Sequence, residues 1–442
     1  MTQRVVVVVV SAVVGFVGAC DAPVDVPPTY ATVKPFLDAK CGNCHRPDGI
    51  GPMSLLAYDE VALFGERIGA VVEAGLMPPW PAVDGCNDYK NDLRLTDDEK
   101  ALLRRWLDDG APEGEPVDPG QTAKSAALAS SSIVRPDLVL EAATEGYAPR
   151  RDDEYRCYAV AVPTPDNGEE LYITGFDVVP GAPHNVHHVN VFMNPPIAGN
   201  NATDWVGLDD EDPLPGYNCA RGERVITTFL VGAWAPGATG MLYPKGTGQL
   251  VEPGSVIILE VHYGLGDNVP DLSSLVLQTA PTVERRGLGV AFWKFDDWEQ
   301  DGMVIPAGAD DVTHSVDVDP GIILAAVAPW LTQRSLEISV AALHMHQLGK
   351  RGELSVLSPV GDTCMVKVEG WDFRWQFGYE MREPAPFFVG EDKLRLSCTW
   401  DNTEANQGFV DGVQQPSVER NWGGRTEDEM CIGFLYMVPA AE

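Results

Sequence analysis

Asn185-Val186-His187-His188-Val189-Asn190-Val191-Phe192 is a short alternating run, and it reads as a β-strand. Similar runs recur at Glu170 to Val178, Val256 to His262, Leu336 to His344, Lys393 to Thr399 and Cys431 to Val438. Gly, Pro and Asp clusters separate them. Many short strands with turn signals between them predict sandwiches. Residues 135–442 are long for one sandwich and natural for two, with the seam expected near Val283 to Gly287. No short-period repeat is present.

The chain before this region has a different character. Residues 29–116 read as small and helical. Tyr58 to Gly75 carries Val61, Phe64, Ile68, Val71 and Val72 at helical spacing and closes on Gly75. Thr96-Asp97-Asp98-Glu99 is a capping box that opens a helix with Leu102, Leu103, Trp106 and Leu107, and Gly110 and Pro112 stop it. Residues 117–134 shift to Pro, Gly, Ala and Ser and read as a linker.

At the start, Arg4 precedes an apolar run from Val5 to Val17, followed by Gly18-Ala19-Cys20. A positive start, a short apolar stretch and small residues before a cleavage point read as a secretory signal over 1–20, too short for a comfortable membrane span. Val17 to Cys20 resembles a bacterial lipobox. That implies cleavage before Cys20 and lipid on its thiol, with residues 21–28 as tether. Simple secretion, with Cys20 incidental, is the alternative. A lipid-anchored chain would sit in the cell envelope, facing the periplasm or exterior, where disulfides persist. The 65 acidic against 31 basic residues, net charge −34, exclude nucleic acid as a partner.

Cys41-Gly42-Asn43-Cys44-His45 is a C-x-x-C-H motif, the attachment sequence of a covalently bound haem c. Two thiols add to the two vinyl groups, and the next His lies over the iron. A redox C-x-x-C or a zinc site is the alternative, and a second ligand pair for zinc is missing nearby. Met77, in Leu76-Met77-Pro78-Pro79-Trp80, is the expected sixth ligand, with Met53 its competitor.

Five of the other seven histidines fall into three groups: His187 with His188, His262, and His344 with His346. Residues two apart in a strand share a face, so His344 and His346 form a chelating pair. Adjacent His187 and His188 would face opposite ways in a regular strand. Binding one metal there requires a bulge or a strand end. Imidazole suits zinc and Cu(II), and an added thioether favours Cu(I).

Together, His187-His188, Val261-His262-Tyr263-Gly264, His344-Met345-His346 and Glu429-Met430-Cys431 resemble the copper type II, ascorbate-dependent monooxygenases, in the order that family has them. Thr426 to Cys431 is the most specific piece, and the resemblance covers roughly Arg135 to Pro439. Bacterial relatives look like a fusion of this module to a cytochrome c domain. The fold class expected is therefore multidomain: a small all-α, cytochrome c-like domain over 29–116, then two all-β sandwich domains of jelly-roll type over 135–285 and 286–442. The resemblance implies two copper ions. His187, His188 and His262 would hold the electron-transfer copper. His344, His346 and Met430 would hold the copper that meets O2 and carry catalysis. The sites are expected to face each other across a solvent-filled cleft. The implied reaction hydroxylates a C–H bond of a small organic substrate with O2. Its electrons would come from an ascorbate-like reductant or a redox protein, passed through the fused haem. Cys398 with Cys431 and Cys157 with Cys219 are the implied disulfides. Cys86 and Cys364 are left over, with a bond between them across domains an open possibility.

Two departures bear on substrate. Ala342 and Phe434 stand where the peptide-amidating members carry an Arg and a Tyr that hold a peptide carboxylate, so amidation is not expected. Glu260 resembles the dopamine enzyme, with a packed strand-edge residue as the other reading. His184 and His314 match no motif; His184 is either a neighbour of the first copper or a surface loop residue. Two other functions stay open on the sequence. One is a non-catalytic haem/copper electron-transfer lipoprotein, and the weaker one is a zinc hydrolase.

Overall fold

The computed structural model describes residues 26–441, except 48, 116–136, 152, 164, 166–169, 197–204, 220–228, 239, 265, 267–268, 295–296, 322–323, 326–327, 333 and 411. The expected signal segment with Cys20, most of the tether and the 117–134 linker lie outside the described residues. No helix among the described residues is long and apolar enough to cross a membrane.

Helices α1 (Tyr30–Lys40), α2 (Tyr58–Glu73) and α3 (Asp97–Asp108) pack around a core of their own, in which Val33, Leu37, Val61, Leu103 and Trp106 are buried. The capping box of α3 forms as its sequence requires. Thr96 Oγ1 accepts from the Glu99 N–H at 3.2 Å, and Glu99 Oε2 accepts from the Thr96 N–H at 2.7 Å.

The segment between α2 and α3 behaves differently. Ala82 and Tyr89 belong to the core of the β region, not to the helical core. Trp80 packs on Tyr89, Phe377 and Tyr379 with ring centroids 5.2 to 5.8 Å apart. Backbone bonds from Val83 to Lys367 (2.9 Å) and Lys90 to Glu380 (2.7 Å) extend the β structure, and the disulfide Cys86–Cys364 staples it. The two cysteines left over from the sequence thus pair with each other. Large aromatic rings bury too much apolar area to stay on the surface of a small helical unit.

The rest is mostly β. In chain order the strands are β1 (Leu138–Glu141), β2 (Glu154–Ala161), β3 (Leu171–Val179), β4 (Val186–Asn194), β5 (Tyr217–Asn218), β6 (Phe229–Trp234), β7 (Met241–Leu242), β8 (Thr247–Val251), β9 (Val256–Tyr263), β10 (Ser274–Ala280) and β11 (Arg285–Arg286). They form two sheets, β1-β10-β3-β8-β11 with β7 on β3, and β5-β2-β9-β4-β6. Then come β12 (Leu288–Phe292), β13 (Val312–Val318), β14 (Ser335–His344), β15 (Gly349–Leu357), β16 (Thr363–Val368), β17 (Gly378–Phe388), β18 (Lys393–Trp400), the ribbon β19 (Phe409–Val410) and β20 (Val413–Gln414), and β21 (Ile432–Pro439). They form β12-β21-β14-β17 and β13-β18-β15-β16. Inward-facing residues such as Val189, Val191, Leu259 and Val261, and Ile338, Ala341, Leu396 and Met437, are buried. The disulfides Cys157–Cys219 and Cys398–Cys431 are both present.

The two sandwiches meet closely. A Cβ on Gly289 of β12 would stand 1.9 Å from the Leu230 carbonyl oxygen of β6, so only glycine permits this approach. Tyr243 stacks on Tyr436 across the junction at 4.2 Å.

Candidate metal centre and its neighbouring cavities

The histidine-rich strand carries the bulge its sequence requires. β4 pairs with β9 as Val186↔Tyr263 and then His188↔His262, leaving His187 as the extra residue. Both neighbours can then turn to one side. His187 Nδ1 lies 3.1 Å from His188 Nδ1, which lies 3.4 Å from His262 Nδ1. The ligand atoms of all three fall within 4.8 Å of one another. Nitrogens about 2.0–2.1 Å from one ion stand about 3.3 Å apart at tetrahedral angles, so this spacing fits a shared metal. His262 Nε2 donates to Asp153 Oδ1 at 2.8 Å, and Tyr155 stacks flat on the ring at 4.2 Å. Burial, then the neighbouring imidazoles, push His188 well below its ordinary value, so it stays neutral and able to ligate. Burial works against the charge of Asp153, but hydrogen bonds with His262 and Thr426 outweigh it and hold that carboxyl below its ordinary value.

His344 ends β14 opposite Ile432 of β21, and His346 follows it. His344 Nδ1 donates to Gln376 Oε1 at 2.7 Å, and His346 Nδ1 to the Asp428 carbonyl at 3.0 Å. Each ring thereby keeps Nε2 for a ligand. Burial lowers His344 to about 4 and His346 to about 3. Met345, between them, is fully buried in the sandwich core. Met430 is half-buried, two residues before Ile432. Its neighbours fix it: Cys431 is tied to Cys398, and the buried Glu429 carboxylate accepts from the N–H groups of Leu348 (2.7 Å) and His346 (3.0 Å) and from Trp400 Nε1 (2.7 Å). Burial pushes Glu429 up to about 7 despite those donors.

The two histidine groups are not separated by a cleft. The His188 and His344 rings meet edge to face with centroids 5.9 Å apart. Phe373 fills the space between, stacked on His187 at 4.7 Å and edge-on to His346 at 5.9 Å. The expectation of facing, solvent-separated sites is corrected here. The bulge in β4 and the end of β14 bring both groups to one junction, and an aromatic ring occupies what would be solvent. The same loop that carries Met430 reaches the first group, since Thr426 donates its hydroxyl to Asp153.

Ala342 and Phe434 sit opposite each other in the β14–β21 ladder. Both line a cavity of about 80 Å³ between the sandwiches, whose wall also includes His188 and His344. Glu260 accepts from Asn190 at 2.9 Å, as a packed strand residue does. His184 is exposed in the turn before β4. His314 donates to the Val304 carbonyl and packs on Trp400, away from both groups.

A second cavity, about 450 Å³, lies between the helical part and the sandwiches. Cys41, Cys44, His45, Met53 and Met77 line it, and so does His187. Cys41 and Cys44 are free thiols. Burial pushes them up to about 12 and about 11. His45 Nδ1 donates to the Met53 carbonyl at 3.1 Å, which leaves Nε2 free. Gly237, with φ +90°, presses on this motif: a Cβ there would stand 2.7 Å from Cys44 Sγ, and Asn43 donates to its carbonyl.

Sequence reasoning did not find Asp153, Phe373 or Gln376, and it noted Thr426 only as the start of the Thr426 to Cys431 motif, without its contact to Asp153. The aromatic density of Trp371-Asp372-Phe373-Arg374-Trp375-Gln376-Phe377 was the available signal.

Residues 141–269 match the N-terminal domain of the copper type II ascorbate-dependent monooxygenases. A tyramine beta-hydroxylase of Caenorhabditis briggsae is 22% identical over 312 residues, covering 66% of this chain. This chain spans about half (47%) of that relative's length. These two findings support the copper type II, ascorbate-dependent monooxygenase family. Among solved structures, a peptide-N(4)-(N-acetyl-β-D-glucosaminyl) asparagine amidase is 7% identical, with 69% of this chain and 96% of that chain covered and a TM-score of 0.29. The major capsid protein P2 of bacteriophage PM2 is 6% identical, with 69% and 98% covered and a TM-score of 0.25. Scores this low carry no argument about fold or activity.

Proposed function

We propose that this protein is a copper-dependent monooxygenase that hydroxylates a C–H bond of a small organic substrate with O2, its electrons arriving through a covalently bound haem c. The observation that carries the reading is the convergence of five histidines from distant strands on one junction, three of them with ligand atoms spaced for a shared ion. The net reaction breaks one C–H bond, forms one C–O bond and releases the second oxygen atom as water. It consumes two protons and two electrons, which a reductant outside the protein supplies one at a time.

The donor sets fit the groups this reading requires. His187, His188 and His262 would hold one copper; His344, His346 and Met430 would hold the other, where the thioether favours Cu(I). Copper supplies the O2 and C–H chemistry when bound. The chain's own part is to aim each imidazole. Asp153 and Gln376 take the ring N–H groups of His262 and His344, and the Asp428 carbonyl takes that of His346. Glu429 ties the Met430 loop to the backbone of His346 and Leu348.

For the haem, Cys41 and Cys44 would form the thioether links and His45 would be the proximal ligand. Met77, which lines the same cavity, would be the sixth ligand, with Met53 its competitor. The cavity holding this motif has His187 in its wall, which supports passage of electrons to the first copper. Anchoring in the cell envelope through Cys20 completes the reading.

The test is substrate-dependent oxygen uptake by copper-loaded protein and its His344→Ala and Met430→Leu variants. Uptake abolished by both changes is expected. Uptake that survives both refutes the monooxygenase reading and leaves an electron-transfer protein.

A further inference from the structure

We infer that the substrate is a small, uncharged, apolar molecule taken into the cavity between the sandwiches; this rests on the monooxygenase reading. The cavity touches both histidine groups, with His188 and His344 in its wall. No described residue lining it is Asp, Glu, Lys or Arg. Its apolar wall comes from both sandwiches, through Leu230 and Trp234 of β6, Val340 and Ala342 of β14, and Phe434 of β21.

Four polar side chains also line it, and each is engaged with the protein. Asn190 Nδ2 donates to Glu260 at 2.9 Å. Gln376 accepts from His344 and donates to the Phe373 carbonyl at 3.0 Å. Tyr243 donates to the Val231 carbonyl at 2.6 Å and accepts from Gln249 at 2.8 Å. Tyr436 donates to Thr247 at 3.2 Å. An ammonium or carboxylate entering here would lose its water and gain no counter-charge, and desolvation of an unpaired charge is prohibitive. A hydrocarbon loses nothing by the same transfer.

The experiment uses the full-length, copper-loaded protein, reduced and kept anaerobic so that binding is read without turnover. Isobutane, isopropylammonium and acetate have equal numbers of heavy atoms, and their binding is compared by ligand-detected NMR. Isobutane is expected to bind at least about tenfold more tightly than either ion. Its binding is expected to vanish in Ala342→Phe, which fills the cavity. Phe434→Ala, which enlarges it, is expected to gain binding of a clearly larger alkane, isooctane, so the inference stays testable if the first variant does not fold. Either ion matching isobutane, or isobutane binding unchanged in folded Ala342→Phe, overturns the inference. Admitting O2 and reductant then separates the two levels. Bound isobutane left unoxidised sinks the substrate role, and oxygen uptake absent with every compound that binds sinks the monooxygenase reading with it. Hydroxylation of a charged compound in preference to isobutane sinks this inference alone.

Discussion

Asp153 holds a left-handed backbone conformation, φ 61°, while its carboxylate receives His262 and Thr426. Asn tolerates that backbone but lacks the charge. Asp153→Asn is therefore expected to weaken copper at the three-histidine group by about 10–100-fold, read by competition titration, with the fold intact. Gln376→Ala is expected to do the same, on the same scale, at the His344 pair. Unchanged affinity in either variant contradicts the assigned role. The buried imidazoles also make a pH prediction for metal-free protein. His344 at about 4 and His346 at about 3 lie below the ordinary value of 6.5. The unfolded chain takes up protons that the folded chain refuses, so stability is lost as pH falls from about 6.5 towards 4. Urea midpoints measured across that window should fall, and fall less in His344→Ala; a flat profile contradicts the buried, neutral assignment. The His187-His188 and His344-His346 pairs were legible because their spacing is local, whereas Met430 came only from the family resemblance. The hydrogen-bond partners were not legible: His262 and Asp153 are 109 residues apart, and Asp153 and Thr426 are 273 apart. Such distances leave no period or motif to read.

At the scale of elements, alternation placed six strands to within a residue or two of their observed ends, and of the bulge or strand end that adjacent histidines call for, β4 has the bulge. Strand pattern records burial of one face, so it is readable from one segment alone. The segment from Trp80 to Leu93 was not readable in this way. Its place depends on Phe377 and Tyr379, which no local pattern links to it. Cys86→Ser with Cys364→Ser should lower stability by about 2–4 kcal/mol, measured by urea unfolding, since the bond closes a very long loop. It should also make the segment around Tyr89 accessible to protease. Thr96→Ala, by contrast, removes one cap and should cost about 1 kcal/mol, confined to the helical core. Equal losses from the two changes would contradict the division between the two cores.

For the whole molecule, the proposed function requires the helical part to be fixed against the sandwiches. Cys44 lies under Gly237, the Trp80 segment is built into the β region, and the loop from Trp371 to Phe377 touches every centre. Phe373 stacks on His187, Gln376 holds His344, and Trp375 and Phe377 line the cavity of the Cys41 to His45 motif. Under the proposed function, such an arrangement would let electrons pass from a haem at that motif to the histidine groups without large motion. The measurement that tests this most directly starts from protein with its haem reduced anaerobically. An oxygen pulse is given to copper-loaded and copper-free samples in the presence of substrate. The account predicts that the haem is reoxidised rapidly only when copper is present. Reoxidation at the same rate in both samples would contradict it.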